Sequence, residues 1–180
     1  MNRHPEIEVT ESERVFEGRI YDVVVESLRL PSGLEQKIAV VDHHGAVAVA
    51  PLTAEGRLIL VRQYRHATGD WLVEVPAGRL EADENTLTAA RRELEEETGY
   101  RAANWEILKA FFPAPGFCSE LITLYLATDL EAVPGGGLEC DSDEEFSYLE
   151  LTPQEVLASD CKDAKTLLAA ALLLDRASKS

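Results

Sequence analysis

The chain has 180 residues, with 33 aspartates and glutamates against 17 lysines and arginines, a formal net charge of −16 at pH 7. That length supports one well-buried domain with a small appendage, and a content of 46% hydrophobic and 28% charged residues excludes disorder over most of it. The charge opposes binding to a nucleic-acid polymer, and a small phosphorylated ligand needs a local arginine or a metal cation to offset the repulsion.

The N-terminal stretch MNRHPEIEVTESERVF lacks the apolar core of a signal peptide. After it, IYDVVVESLRL alternates and is rich in β-branched residues, PSG is a turn, and LEQKIAVVD is a second strand. Residues 1–45 are therefore expected to form an antiparallel strand pair, which is marginal alone and must pack on something. From Ala46 to the end, residues 46–180, the main domain opens with the strands VAVAPL and RLILVRQYR around the turn TAEG, then WLVEVPAG. Next comes a helix from Asn85 to Thr98, with Leu87, Ala90 and Leu94 forming one apolar stripe and Gly99 as its stop. WEILKAFF, ELITLYLATDL and FSYLEL are further strands, while PQEVLA and DAKTLLAAALLLDRA are helical, the latter capped by Asp163. Strands on either side of one acidic helix, followed by a terminal helix, give an α/β, or layered α+β, domain.

The longest apolar run, LLAAALLL at 167–174, is too short to span a membrane. Cys118, Cys140 and Cys161 are far apart and form no CxxC, so neither a disulfide framework nor a zinc knuckle is indicated. A soluble protein of the reducing cytoplasm is expected.

On the predicted helix, Glu93, Glu96 and Glu97 fall at i, i+3 and i+4, so their carboxylates share one face. Like charges so placed repel one another, and a partly buried pair at about 4 Å costs roughly 4 kcal/mol at an effective dielectric near 20. Something cationic is required. Arg91 and Arg92 in the preceding turn can each offset one carboxylate, and a hard divalent cation can bind several.

The full stretch from Gly78 to Tyr100 reads GRLEADENTLTAARRELEEETGY. In the spacing of Gly78, Glu84, Arg92-Glu93-Leu94, Glu96-Glu97 and Gly99 it resembles the Nudix box, the signature of hydrolases acting on nucleoside diphosphates linked to another group. Tyr100 is the one soft departure, where the family usually carries an aliphatic residue. The resemblance implies a mixed β-sheet sandwiched between helices, with the box as a loop–helix–loop that binds Mg²⁺, or alternatively Mn²⁺. It implies Glu93 and Glu97 as principal metal ligands, Glu96 as a third or a water-mediated one with a catalytic part, and Ala77 as a carbonyl ligand. Gly78 would allow the tight loop and Arg92 would orient the glutamates. Glu81, Asp83 and Glu95 read as solvated surface.

Two further stretches resemble the ADP-ribose pyrophosphatase branch of that family. VRQYRHATGDWLVEVPAG, Val61 to Gly78, is similar to its lead into the box, and FPAPGFCSE, Phe112 to Glu120, is similar to its Pro-Gly-Phe loop. By this resemblance Arg65 contacts a phosphate, which suits a guanidinium. Glu74 is either a substrate contact or half of a cross-strand ion pair. Pro115 and Gly116 lie over the ribose, or form only a β-turn.

The branch takes its general base from a loop before the last strand, here CDSDEEF, which nominates Glu144 and then Glu145. Asp141, Asp143 and Glu145 superficially suggest a calcium loop, but Phe146 and Thr152 stand where that loop needs glycine and glutamate, so an EF-hand is rejected. The branch also forms homodimers whose N-terminal sheet swaps over the partner, with Arg19 and Ile20 at positions that contact the nucleotide from the neighbouring subunit. The implied reaction is metal-dependent hydrolysis of ADP-ribose to AMP and ribose 5-phosphate. The alternatives are another nucleoside diphosphate sugar such as GDP-mannose, or a nucleotide-sensing module without turnover.

Overall fold

The computed structural model describes residues 4–134 and 147–179, which fall into two compact units. The first joins the N-terminal residues up to Gly45 with the segment Phe111–Leu121, and the second holds the rest. The grouping of Phe111–Leu121 with strands far ahead of it in the chain is a long-range fact that local sequence pattern does not carry.

In the first unit β1 (Glu8–Glu17), β2 (Tyr21–Arg29) and β3 (Glu35–His43) form a three-stranded antiparallel sheet in that order. Val24, Glu26 and Leu28 are buried at alternate positions of β2, the two-residue period of one sheet face. The pair expected from sequence is β2 and β3, and β1 is an addition. Every residue of β1 except Val9 is exposed, so it shows none of the inward–outward alternation by which a strand is read from sequence. The segment Phe111–Leu121 lies along β3: Val41 N–H donates to the Phe117 carbonyl at 2.8 Å, and Ser119 N–H to the Val41 carbonyl at 3.0 Å.

The second unit contains two sheets. One has the order β7-β4-β9-β8, from β4 (Ala46–Pro51), β7 (Ala77–Arg79), β8 (Tyr100–Phe111) and β9 (Ile122–Ala132). The other has the order β10-β5-β6, from β5 (Leu58–Arg65), β6 (Asp70–Glu74) and β10 (Ser147–Leu151). All of β4 is buried, and it runs parallel to β9 and antiparallel to β7, which makes the first sheet mixed. Strands covered on both faces read as continuous apolar runs, as AVAVAP does.

The expected strand WLVEVPAG is divided. It ends as β6 at Glu74 and resumes as β7 at Ala77, in different sheets. Pro76 stands between them with no N–H to continue a ladder, while its carbonyl accepts from Val49 N–H at 2.8 Å. That break brings Ala77 and Gly78 beside β4.

Helix α1 (Thr86–Thr98) starts at Asn85, whose side chain accepts from Thr88 N–H, and stops at Gly99, left-handed at φ 70°. Ala89, Ala90 and Leu94 on it pack with Val47 and Val49 of β4 and with Tyr125 and Ala127 of β9. A second helix, α2 (Pro153–Ala158), opens with a capping box between Thr152 and Glu155. The third, α3 (Ala164–Ala177), is capped by Asp163 and packs on β4, β6 and α2. Among the described residues no helix is long and apolar enough to cross a membrane, and Cys118 and Cys161 are free thiols. Cys140 lies outside the described residues.

Candidate active site

The short strand β7 lies against the face of α1 that carries the glutamates. Oε2 of Glu97 accepts from the Ala77 N–H at 3.1 Å. One residue on, Gly78 leaves the space that the Glu93 carboxylate fills, since a β-carbon there would sit 1.9 Å from Glu93 Oε1 and 2.0 Å from its Cδ. Ala77, Glu93 and Glu97 are thus brought to one place by a helix turn and a strand that ends a proline break. Glu96, in the same turn, is more open, with a side chain 44% exposed.

Arg92 binds this face together. Its Nε and Nη2 donate to the two oxygens of Glu84 at 3.2 and 3.0 Å, and its Nη1 to Glu93 at 2.7 Å and Glu96 at 3.1 Å. Nη2 also reaches the carbonyl of Arg79 on β7. Three carboxylates share one guanidinium, which raises the Arg92 pKa further, first through its hydrogen bonds to Glu84, against the cost of burial, then through Glu93 and Glu96. Those same bonds hold Glu84 below the ordinary carboxylate value. Glu84 also accepts from Glu81 N–H, so it closes the loop between β7 and α1.

Glu93 behaves differently. Burial pushes its carboxyl up, the Arg92 charge and hydrogen bond pull it down, and the charges of Glu96 and Glu84 push it up again, for a net rise. Among the described residues Glu93 shares its Arg92 partner with Glu84 and Glu96, and burial still disfavours its charged form. Among the described residues no group of three or more His, Cys, Asp or Glu side chains is gathered closely enough to form a ready metal cage. The donors fit a hard cation by chemistry: all are oxygens, on carboxylates and on the Ala77 backbone, and no thiolate or imidazole stands among them.

Arg65 and Glu74 form a second charged cluster. Arg65 Nε and Nη2 donate to Oε1 and Oε2 of Glu74 at 2.7 and 2.9 Å, a two-pronged pair between β5 and β6. Glu74 is 2% exposed, and its Oε2 also accepts from Lys165 Nζ at 2.8 Å. Burial alone would raise the Glu74 pKa, but the Arg65 hydrogen bonds and the Lys165 and Arg65 charges outweigh it and set the value at about 2. The ion-pair reading of Glu74 therefore describes its observed partners. Lys165 has no sequence signal as a member of this cluster. It lies 91 residues from Glu74, inside a helix that reads as ordinary core.

The other nominated residues lie in the first unit or outside the described residues. Pro115 and Gly116 form a turn in which Phe117 and Cys118 N–H both donate to the Ala114 carbonyl, and a β-carbon on Gly116 would meet nothing within 4 Å. Arg19 and Ile20 occupy the exposed connection between β1 and β2. Glu144 and Glu145 lie outside the described residues. Of the three acids read as solvated, Glu95 is ion-paired with Arg101 at 2.5 Å, and Asp83 takes a positive φ of 62° in the loop before α1.

Comparisons with known proteins place these features in a wider set. The NUDIX domain matches residues 42–171. The chain is 40% identical to the ADP-ribose pyrophosphatase of Bacillus subtilis (strain 168) over 161 residues, 87% of this chain and 86% of that protein. It is also 40% identical to the methanol dehydrogenase activator of Bacillus methanolicus over 163 residues, 88% of this chain and 87% of that protein. The crystal structure of an ADP compounds hydrolase superposes with a TM-score of 0.82 at 22% identity, covering 99% of this chain and 98% of that one, a likeness of fold.

Proposed function

This chain belongs to the NUDIX domain family, and on that premise we propose that it hydrolyses the diphosphate of ADP-ribose, yielding AMP and ribose 5-phosphate. The observation that carries the reading is the carboxylate face of α1, with Glu93 lodged against Gly78 and held by Arg92, and Glu97 accepting from the Ala77 N–H. Identity of 40% to an ADP-ribose pyrophosphatase over most of both chains supports the substrate.

Glu93, Glu97 and the Ala77 carbonyl, with Glu96 as a third carboxylate, would hold a divalent cation, Mg²⁺ or Mn²⁺. When bound, that cation supplies positive charge against the diphosphate oxygens. Arg92 keeps Glu93 and Glu96 from swinging away. Arg65 turns its Nε–Nη2 edge to Glu74, which leaves Nη1 on a side chain 39% exposed to meet a phosphate oxygen. Glu144 or Glu145 takes the proton of the attacking water, whose oxygen bonds to one phosphorus as the bridging P–O bond breaks. Pro115 and Gly116 contact the ribose.

We place the protein in the cytoplasm as a homodimer, a reading supported by the free thiols of Cys118 and Cys161 and by the exposed Val15, Phe16, Tyr21 and Ile38 of the N-terminal sheet, with Ile20 in its first connection. Arg19 and Ile20 would then reach the adenine of the neighbouring subunit's substrate. Sedimentation analysis of the pure protein reads the dimer directly, and a monomer at micromolar concentration ends that part of the reading.

The test of function is product analysis after incubation with ADP-ribose and Mg²⁺. AMP and ribose 5-phosphate are expected. Cleavage of GDP-mannose without any AMP from ADP-ribose would move the assignment to another nucleoside diphosphate sugar, and binding without turnover of either would make the chain a sensor.

A further inference from the structure

We propose that Lys165 is a positioning residue for the diphosphate: its ammonium fixes the carboxylate of Glu74, and Glu74 in turn sets the guanidinium of Arg65. The inference rests on the reading of Arg65 as a phosphate contact.

The geometry is a closed chain of hydrogen bonds. Glu74 Oε2 accepts from both Arg65 Nη2, at 2.9 Å, and Lys165 Nζ, at 2.8 Å. Lys165 Nζ donates at 2.7 Å to Asp163 Oδ1, and Asp163 Oδ2 accepts from Thr166 N–H at 2.9 Å and its hydroxyl at 2.6 Å. Thr166 Oγ1 accepts from Val75 N–H at 2.8 Å, which returns the chain to the residue after Glu74. Two cations and two anions alternate along it, so removing Lys165 leaves two carboxylates with one guanidinium.

The placement of Lys165 is costly for the helix. It stands at the second position of α3, in the first turn, where the helix macrodipole repels a cation. Its side chain is only 15% exposed. What holds a lysine there is the pair of carboxylates, Asp163 below and Glu74 beside it. Without the ammonium, Glu74 can turn about its last bond, and the more exposed Arg65 loses the fixed edge that aims its Nη1.

A purely structural lysine would tie β6 to α3 and affect stability alone, so the test separates binding from folding. Steady-state kinetics with ADP-ribose are measured for Lys165→Met, Lys165→Arg, Arg65→Ala and the double variant Arg65→Ala/Lys165→Met. Lys165→Met is expected to raise KM about tenfold with kcat changed by no more than about twofold, and Lys165→Arg to return KM to within about threefold of wild type. In the Arg65→Ala background the Lys165→Met change is expected to add nothing, since its effect passes through Arg65. Leu173→Ala, a core change on the same helix, should lower the melting temperature and leave KM in place. If Lys165→Met does not fold, Lys165→Ala, which removes the donor from both carboxylates at a position where the helix accepts alanine, carries the same comparison.

A KM penalty for Lys165→Met that persists undiminished in the Arg65→Ala background, or no penalty while Arg65→Ala raises KM, overturns the role of Lys165 and leaves that of Arg65 standing. An unchanged KM in Arg65→Ala overturns both.

Discussion

Gly78 and Glu93 occupy each other's space: a β-carbon on Gly78 would lie 1.9 Å from Oε1 of Glu93, well inside contact distance. Gly78 is not among the glycines with positive φ, so its identity answers to that carboxylate and not to backbone strain. Gly78→Ala should therefore displace the tip of a flexible side chain, at small cost to folding, while moving a proposed ligand by an ångström or more. The expected result is a melting temperature within a few degrees of wild type and a fall in ADP-ribose turnover of about 100-fold, the scale of such misplacements. Full activity in a folded Gly78→Ala protein would detach Glu93 from the chemistry.

Arg92 is bonded to Glu84, Glu93 and Glu96, and the first two have side chains only 9% and 11% exposed. Removing the guanidinium leaves those carboxylates without their shared cation. Fully buried pairs broken from one side lose about 3–5 kcal/mol; Arg92 is itself 24% exposed, so water softens the penalty. Arg92→Ala should lower the unfolding free energy in cation-free buffer by about 2–3 kcal/mol, read from urea titrations. A change under about 0.5 kcal/mol would put Arg92 among ordinary surface arginines.

What could be read in advance divides along the range of the interactions. The helix from Asn85 to Gly99 was legible because its cap, apolar stripe and glycine stop are local, and the face shared by Glu93, Glu96 and Glu97 follows from helix geometry alone. The strand β1 was not, because its side chains are nearly all exposed and carry no alternation. The break at Pro76 is visible as a proline, yet its consequence, β6 and β7 in separate sheets, depends on the pairing of β7 with β4. Lys165 escaped for the same reason: only the packing of α3 on β6 brings it to Glu74.

The proposed cation should be seen in stability as well as in rate. A ligand that binds only the folded state at about 100 times its dissociation constant adds roughly 2.7 kcal/mol. Melting curves with and without Mg²⁺, after treatment with a chelator, should show that rise for the wild type. Glu97→Gln should lose most of it together with turnover while keeping the fold, because the amide can still accept from Ala77 N–H as Glu97 does. Equal Mg²⁺ shifts in both proteins would remove Glu97 from the site.

Glu74 gives the molecule a specific acid limit. Its carboxyl sits near pH 2 in the folded chain against an ordinary value of 4.5, because Arg65 and Lys165 outweigh burial. With a folded pKa below the unfolded one, the unfolded state binds the proton more readily, so the contribution to stability is complete above the ordinary value and is lost as pH falls toward 2. Its size at neutral pH is about 3 kcal/mol. Glu93, whose pKa burial raises, works in the opposite sense and loses stability as pH rises. The clean measurement is therefore a difference: urea unfolding of wild type and Glu74→Gln at several values from pH 7 down to 3. A protonated glutamate and a glutamine are near-isosteres, so the wild type should be more stable at pH 7 and the two curves should draw together as the pH falls. A gap that stays constant over the whole range would mean that the pair of Glu74 with Arg65 and Lys165 does not set the acid limit.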